Sequence, residues 1–167
     1  MIHIKRILHP TDFSELSLVA LRYAVSFAET FESDLYIIHV VDEAYQYWTM
    51  MGPETTPVGP PPDELLKLSE SELAKFTANH LAEFKRPITR EVALGRPYHE
   101  IIRYAGENKI DLVVLGTHGR GGLRHALLGS VAERVVRKAP CPVLTIRDPS
   151  ANSSKTPGGL VASGTFP

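Results

Sequence analysis

The 167 residues include a single cysteine, Cys141. No internal disulfide can staple the fold, and no cysteine-rich metal site can form. That usage points to a reducing compartment. No segment reaches the roughly 18–20 consecutive apolar residues of a membrane span. At the N-terminus, Met1–Pro10 sets Lys5 and Arg6 inside a short apolar stretch. A signal peptide instead runs from charge to a longer apolar core to small residues. A cytoplasmic protein with an uncleaved N-terminus is therefore expected. The net charge is only −1, so no general attraction to nucleic acid or membranes is expected. Several chemical motifs are missing too. There is no G-x-S-x-G elbow, no H-E-x-x-H and no G-x-x-x-x-G-K-[ST]. Gly119-Arg120-Gly121-Gly122-Leu123-Arg124 has arginine where a dinucleotide fingerprint needs its third glycine. The seven histidines do not fall at metal-ligand spacings.

What is present reads as one globular domain, with 43% apolar and 22% charged residues. Ile4–His9 is a short apolar run stopped by Pro10, hence a strand. Thr11-Asp12-Phe13-Ser14-Glu15 offers helix-start residues, and Ala20, Ala24, Phe27, Ala28 and Phe31 follow at helical spacing. Leu35–Val41 is too continuously apolar for a strand with one wet face, so it suits a parallel sheet covered on both sides. Residues 42–62 hold Tyr45, Tyr47, Trp48, Met50 and Met51 and then five prolines, which predicts a long loop. Asp63 is placed to cap a second helix. Ile88–Leu94 is a third strand, less apolar and so an edge. Pro97 suits the first turn of a third helix. Asp111–Gly116 is a fourth strand, Ser130–Lys138 a fourth helix with Val131, Val135 and Val136 inward, and Pro142–Arg147 a fifth strand. The alternation predicts an α/β fold with parallel strands and helices on both faces. Residues 148–167 have no periodicity and read as a flexible C-terminal tail.

In such a sheet a ligand binds beyond the carboxyl ends of the strands, where strand order reverses. If the first and fourth strands are neighbours, Pro10-Thr11-Asp12 meets the loop that begins at Gly116. That loop has four glycines within residues 116–122, and glycine lets the backbone come close to a ligand. Inward amides there would cradle an anion. Ser130 and Glu133 have capping-box spacing, so Ser130 is expected to cap the next helix. That helix would offer free N–H groups and a positive dipole end. The charge is uneven in the same sense: residues 1–95 balance at −6 and residues 96–167 at +5. His9 and His39 fall near neighbouring strand ends and read as packed or hydrogen-bonded rather than as ligands.

The spacing Gly116-x2-Gly119-x9-Gly129-Ser130 resembles the ATP-binding signature of the universal stress protein family. His9-Pro10-Thr11-Asp12-Phe13-Ser14, His39-Val40 and Ala139-Pro140-Cys141-Pro142-Val143-Leu144 resemble further family segments in the same order. The resemblance covers residues 2–147. It implies an open five-stranded parallel sheet in order 3-2-1-4-5, Rossmann-like and similar to the adenine nucleotide alpha hydrolases. Residues 1–147 would then be the nucleotide-binding domain and 148–167 the tail. Carried over by position, Asp12 and Val40 would hold adenine. Pro10, Thr11, Leu115 and Gly116 would line base and ribose. Gly119, Gly129, Ser130, Val131 and Ala132 would surround the phosphates. Some members carry a hydroxyl at the position of Ala132, and its absence removes one donor. Arg120 is added here as a phosphate partner from its place in the loop.

The implied ligand is ATP, with AMP or ADP as alternatives. Magnesium or manganese is expected through the phosphates, whose charge needs neutralising. The implied role is in stress response and signalling, with the nucleotide as a conformational or partner-binding ligand. No general base faces a γ-phosphate in this reading, so slow or no hydrolysis is expected, at most a weak ATPase. A homodimer through the last strand (Val143, Leu144, Ile146) is implied as well. The competing reading is a nucleotide-independent dimeric interaction module.

Overall fold

A computed structural model describes residues 3–42, 60–117 and 128–147. Most of the expected loop 42–62, together with Gly119, Arg120 and the tail 148–167, lies outside the described residues. Strands and helices alternate: β1 (Arg6–Thr11), α1 (Glu15–Thr30), β2 (Asp34–Asp42), α2 (Pro62–His80), β3 (Ile88–Gly95), α3 (Pro97–Glu107), β4 (Leu112–Gly116), α4 (Ser130–Lys138) and β5 (Val143–Ile146). The strands form one parallel sheet in the order β3-β2-β1-β4-β5, as expected.

The two-residue period of the strands sorts their side chains onto two faces. Ile7, Leu35, Ile37, Leu112, Val114 and Ile146 pack against Ala20, Leu21, Ala24 and Ala28 of α1 and Leu73 of α2. Leu8, Ile38, Ala93, Val113 and Leu115 pack on the other side against Ile101, Tyr104 and Ala105 of α3 and Ala132 and Val135 of α4. Fully burying each large aliphatic contributes about 1.5–3 kcal/mol before entropy is counted. Helices on both faces explain why the central strands lack a polar face.

Three sequence expectations are corrected here. Asp63 does not cap α2; Pro61 is the cap and Pro62 opens the helix, with its missing N–H lost where none is needed. Asp63 lies in the first turn, where its charge suits the dipole. Phe31 does not join the buried face. It follows the last turn of α1, 40% exposed, with its ring stacked on Phe27 at 6.0 Å. Val136 is 47% exposed, because the inward face of α4 is Ala132 and Val135 and the next residue is rotated about 100° away.

Candidate functional site

The central strand β1 treats its two neighbours differently. Against β2 it is paired from Arg6↔Asp34 through Thr11↔His39. Against β4 the pairing is Ile7↔Leu112 and Leu8↔Val113, and stops there, although the strands run on to Thr11 and Gly116. The hydrogen-bond ladder to β4 therefore stops short of the carboxyl edge, where the strand order reverses.

Proline explains where the ladder stops. Asp34 N–H donates to Lys5 O at 2.8 Å, and Asp111 N–H donates to Arg6 O at 2.9 Å. Odd-numbered peptide groups of β1 thus face β2 and even-numbered ones face β4. On β4, Val113 N–H donates to Pro142 O and Thr117 N–H to Ile146 O, so its odd residues face β5 and Val114 faces β1. In this register the next donor toward Val114 O is the amide of residue 10. Pro10 has none. The expected end of the strand at His9 is therefore corrected: β1 continues through Pro10, because the proline costs only a rung toward β4 and leaves the β2 side intact.

The orphaned carbonyl is taken by a side chain. His9 Nδ1 lies 3.0 Å from Val114 O. A carbonyl only accepts, so Nδ1 carries the proton and Nε2 is left as acceptor for the Ser17 hydroxyl at 3.3 Å. His9 is fully buried, and burial lowers its pKa to about 4; the Val114 bond and the Asp12 charge oppose that shift only in part. His9 and His39 are not register partners, since His9 pairs with Ile37 and His39 with Thr11. Both are hydrogen-bonded, His39 Nδ1 donating to Thr11 O at 2.8 Å.

The turn after β1 is tightly held. Asp12 Oδ1 accepts from Ser14 N–H at 3.1 Å and from Ser14 Oγ–H at 2.6 Å. Ser14 Oγ in turn accepts from Ser17 N–H at 3.2 Å and caps α1. Thr11 Oγ1 accepts from Phe13 N–H at 3.1 Å. Phe13 sits at φ 61°, an unusual conformation for an aromatic residue, costing about 1–3 kcal/mol. Its ring packs on His39 at 4.4 Å and on Phe76 at 5.4 Å.

Across the seam, Thr117 follows β4 and its carbonyl accepts from Gly129 N–H at 2.7 Å. The chain that leaves at Gly116 thus returns to the same place and enters α4. Gly129, not Ser130, is the N-cap, with extended φ −70° and ψ 156°. Ser130 is the first helical residue and exposed, so the capping-box expectation is corrected. The physical reason is the Thr117 tie, which fixes the chain's entry one residue early. The first intrahelical bond goes from Glu133 N–H to Gly129 O. Ser130, Val131 and Ala132 hold the first amides of the helix, which have no intrahelical acceptor.

The structure thus gathers most of the expected residues at one edge. Pro10 and Thr11 end β1 and Asp12 follows it, Leu115 and Gly116 end β4, and Gly129 caps α4, which starts with Ser130, Val131 and Ala132. Val40 lies one strand further over, on β2, paired with Ala93 and packed on the same face as Leu115. Sequence reasoning did not single out Ser17 or Thr117. Thr117 acts through its backbone, which leaves no side-chain signal. Ser17 is one helical turn beyond the cap Ser14, and that spacing was the available hint.

An open, doubly wound parallel sheet whose strand order reverses between β1 and β4, with a helix N-terminus beside that reversal, defines a Rossmann-like α/β protein. The universal stress protein family model matches residues 3–147. Universal stress protein MJ0531 of Methanocaldococcus jannaschii is 39% identical over 152 residues, covering 87% of this chain and 83% of the relative. The solved structure of MJ0577, from the same organism, is 27% identical with a TM-score of 0.74, covering 88% of this chain and 98% of that one. Two more distant structures share the fold. One is a universal stress protein in complex with cAMP, 22% identical with a TM-score of 0.65, covering 87% of this chain and 98% of that one. The other is a universal stress protein of Archaeoglobus fulgidus in complex with dAMP, 20% identical with a TM-score of 0.58, at the same coverage. The chain belongs to the universal stress protein family.

Proposed function

We propose that this protein binds an adenine nucleotide, ATP foremost with ADP or AMP as alternatives, where β1 and β4 part. The observation that carries this reading is the interrupted ladder between β1 and β4, flanked by the Asp12 turn and the tied N-terminus of α4. A phosphate at that helix end would gain about 0.3–1 kcal/mol from the dipole and about 1.5–3 kcal/mol from each charge-assisted hydrogen bond. Micromolar affinity needs about 8 kcal/mol, within reach once a base is also buried. Asp12 and the Val40 backbone would read adenine. Pro10, Thr11, Leu115 and Gly116 would line base and ribose, and Gly129, Ser130, Val131 and Ala132 the phosphates. Gly119 and Arg120 keep their proposed phosphate roles and lie outside the described residues. The cAMP and dAMP complexes of fold neighbours support an adenine nucleotide as the ligand class.

Among the described residues no group of three or more His, Cys, Asp or Glu is arranged to hold a metal ion. Magnesium or manganese would be held through the phosphates, whose charge needs neutralising. The nucleotide serves as a conformational or partner-binding ligand in cytoplasmic stress signalling, with slow or no hydrolysis. A homodimer through β5 is part of the reading. Among the described residues that strand pairs with β4 alone, and Val143 and Leu144 are only half-buried there. No described helix is long and apolar enough to cross a membrane.

Native mass spectrometry of the purified protein, followed by equilibrium dialysis with ATP, ADP and AMP, tests the ligand. A bound adenine nucleotide, or dissociation constants on the order of micromolar, is expected. No uptake of any of the three would leave the nucleotide-independent module as the better reading.

A further inference from the structure

We propose that His9 is a positioning residue for the crevice. Its imidazole replaces the ladder donor that Pro10 withdraws, and so holds β1 and β4 at the separation the ligand needs. This inference rests on the adenine-nucleotide reading above.

A carbonyl stripped of its donor inside a sheet must find another partner or lose stability. Restoring the amide at position 10 would satisfy Val114 O, but it would also zip the seam one rung further, into the space assigned to the base. A side chain from the preceding residue satisfies the same oxygen without drawing the strands together. His9 does this with Nδ1, 3.0 Å from Val114 O.

The second ring nitrogen makes the residue more than a plug. Nε2 meets the Ser17 hydroxyl at 3.3 Å, and the Ser17 and Thr11 hydroxyls share a hydrogen bond of 2.8 Å. Thr11 Oγ1 holds Phe13 N–H, and Ser14, one turn before Ser17, holds the Asp12 carboxylate. A continuous line of hydrogen bonds therefore runs from β4, through the imidazole, to the turn that presents Asp12. His9, Thr11 and Ser17 are all buried, so water does not compete for these bonds. Asp12 is thereby set relative to Gly116 across the open seam.

The experiment measures ATP affinity by calorimetry and the melting midpoint for wild type, His9→Leu, His9→Asn, Pro10→Ala and His9→Leu/Pro10→Ala. His9→Leu should lower the midpoint and weaken ATP by about tenfold, the equivalent of one lost buried hydrogen-bond partner. His9→Asn keeps a donor near the Nδ1 position and should recover part of both. In the double variant the new amide reaches Val114 O, so the midpoint should recover while affinity stays below that of Pro10→Ala alone. Undiminished ATP binding by His9→Leu overturns the positioning role. So does a double variant that recovers affinity together with stability, because His9 is then only structural. A double variant no more stable than His9→Leu overturns the exchange of donors. If wild type binds no ATP, the nucleotide reading itself falls and the positioning role with it.

Discussion

The two seams of β1 are built from one strand and behave oppositely. Toward β2 all six residues pair, from Arg6 to Thr11. Toward β4 the pairing ends at Leu8. The difference does not come from apolar content, since Val114 and Leu115 are as buried as Ile37 and Ile38. It comes from one missing amide, at a position whose peptide faces β4 and not β2. A single proline can thus interrupt the ladder on one side of a strand and leave the other side intact.

The closed part of the seam should be the more fragile to truncation. Leu8→Ala removes a fully buried side chain and should cost about 2–5 kcal/mol, read as a lower denaturant midpoint with an unchanged slope. Pro10→Ala in the open part should move stability by well under 1 kcal/mol, since a gained rung and a looser unfolded chain offset each other. Equal losses at the two positions would break the comparison.

Acid should act on the open side. The His9 pKa is about 4 when folded, against an ordinary value of 6.5, because burial disfavours the charged ring. The unfolded chain therefore binds the extra proton first. Stability is fully present above about pH 6.5 and falls as pH drops toward 4, by up to about 3 kcal/mol from this group. Urea unfolding at stepped pH should show the slope, and His9→Leu should flatten it. An unchanged slope in the variant would assign acid sensitivity elsewhere.

The smallest effect has opposite signs in two measurements. Ser130→Glu places a carboxylate in the first turn of α4, where the dipole favours it by about 0.3–1 kcal/mol. The same charge would repel a phosphate. The melting point should hold or rise while ATP affinity falls by about tenfold. If both fall together, the N-terminus of α4 is not the anion end of the site.

Much of this fold could be read from the chain because continuous apolar runs such as Leu35–Val41 fit only a doubly covered sheet. The family segments then supplied the strand order. The site was legible to the level of its segments, the end of β1 and the entry to α4. What escaped depends on register and on backbone bonds. Pro10 looks like the end of a strand until it is known which neighbour its peptide faces. Ser130 and Glu133 match a capping box, but the bond from Gly129 N–H to Thr117 O moves the cap. The sequence pattern reads His9 as a packed or hydrogen-bonded histidine, and in the structure it is hydrogen-bonded. Its partner is a carbonyl 105 residues away, which no local pattern could name.

The most direct test is an amide NMR titration of the wild-type protein with ATP. The amides of Asp12, Gly116 and Ser130 to Ala132 should shift together and saturably, while those along the closed seam, Ile7 and Ile37 among them, stay in place. Saturable shifts centred elsewhere, with Asp12 and Ser130 unmoved, would contradict it.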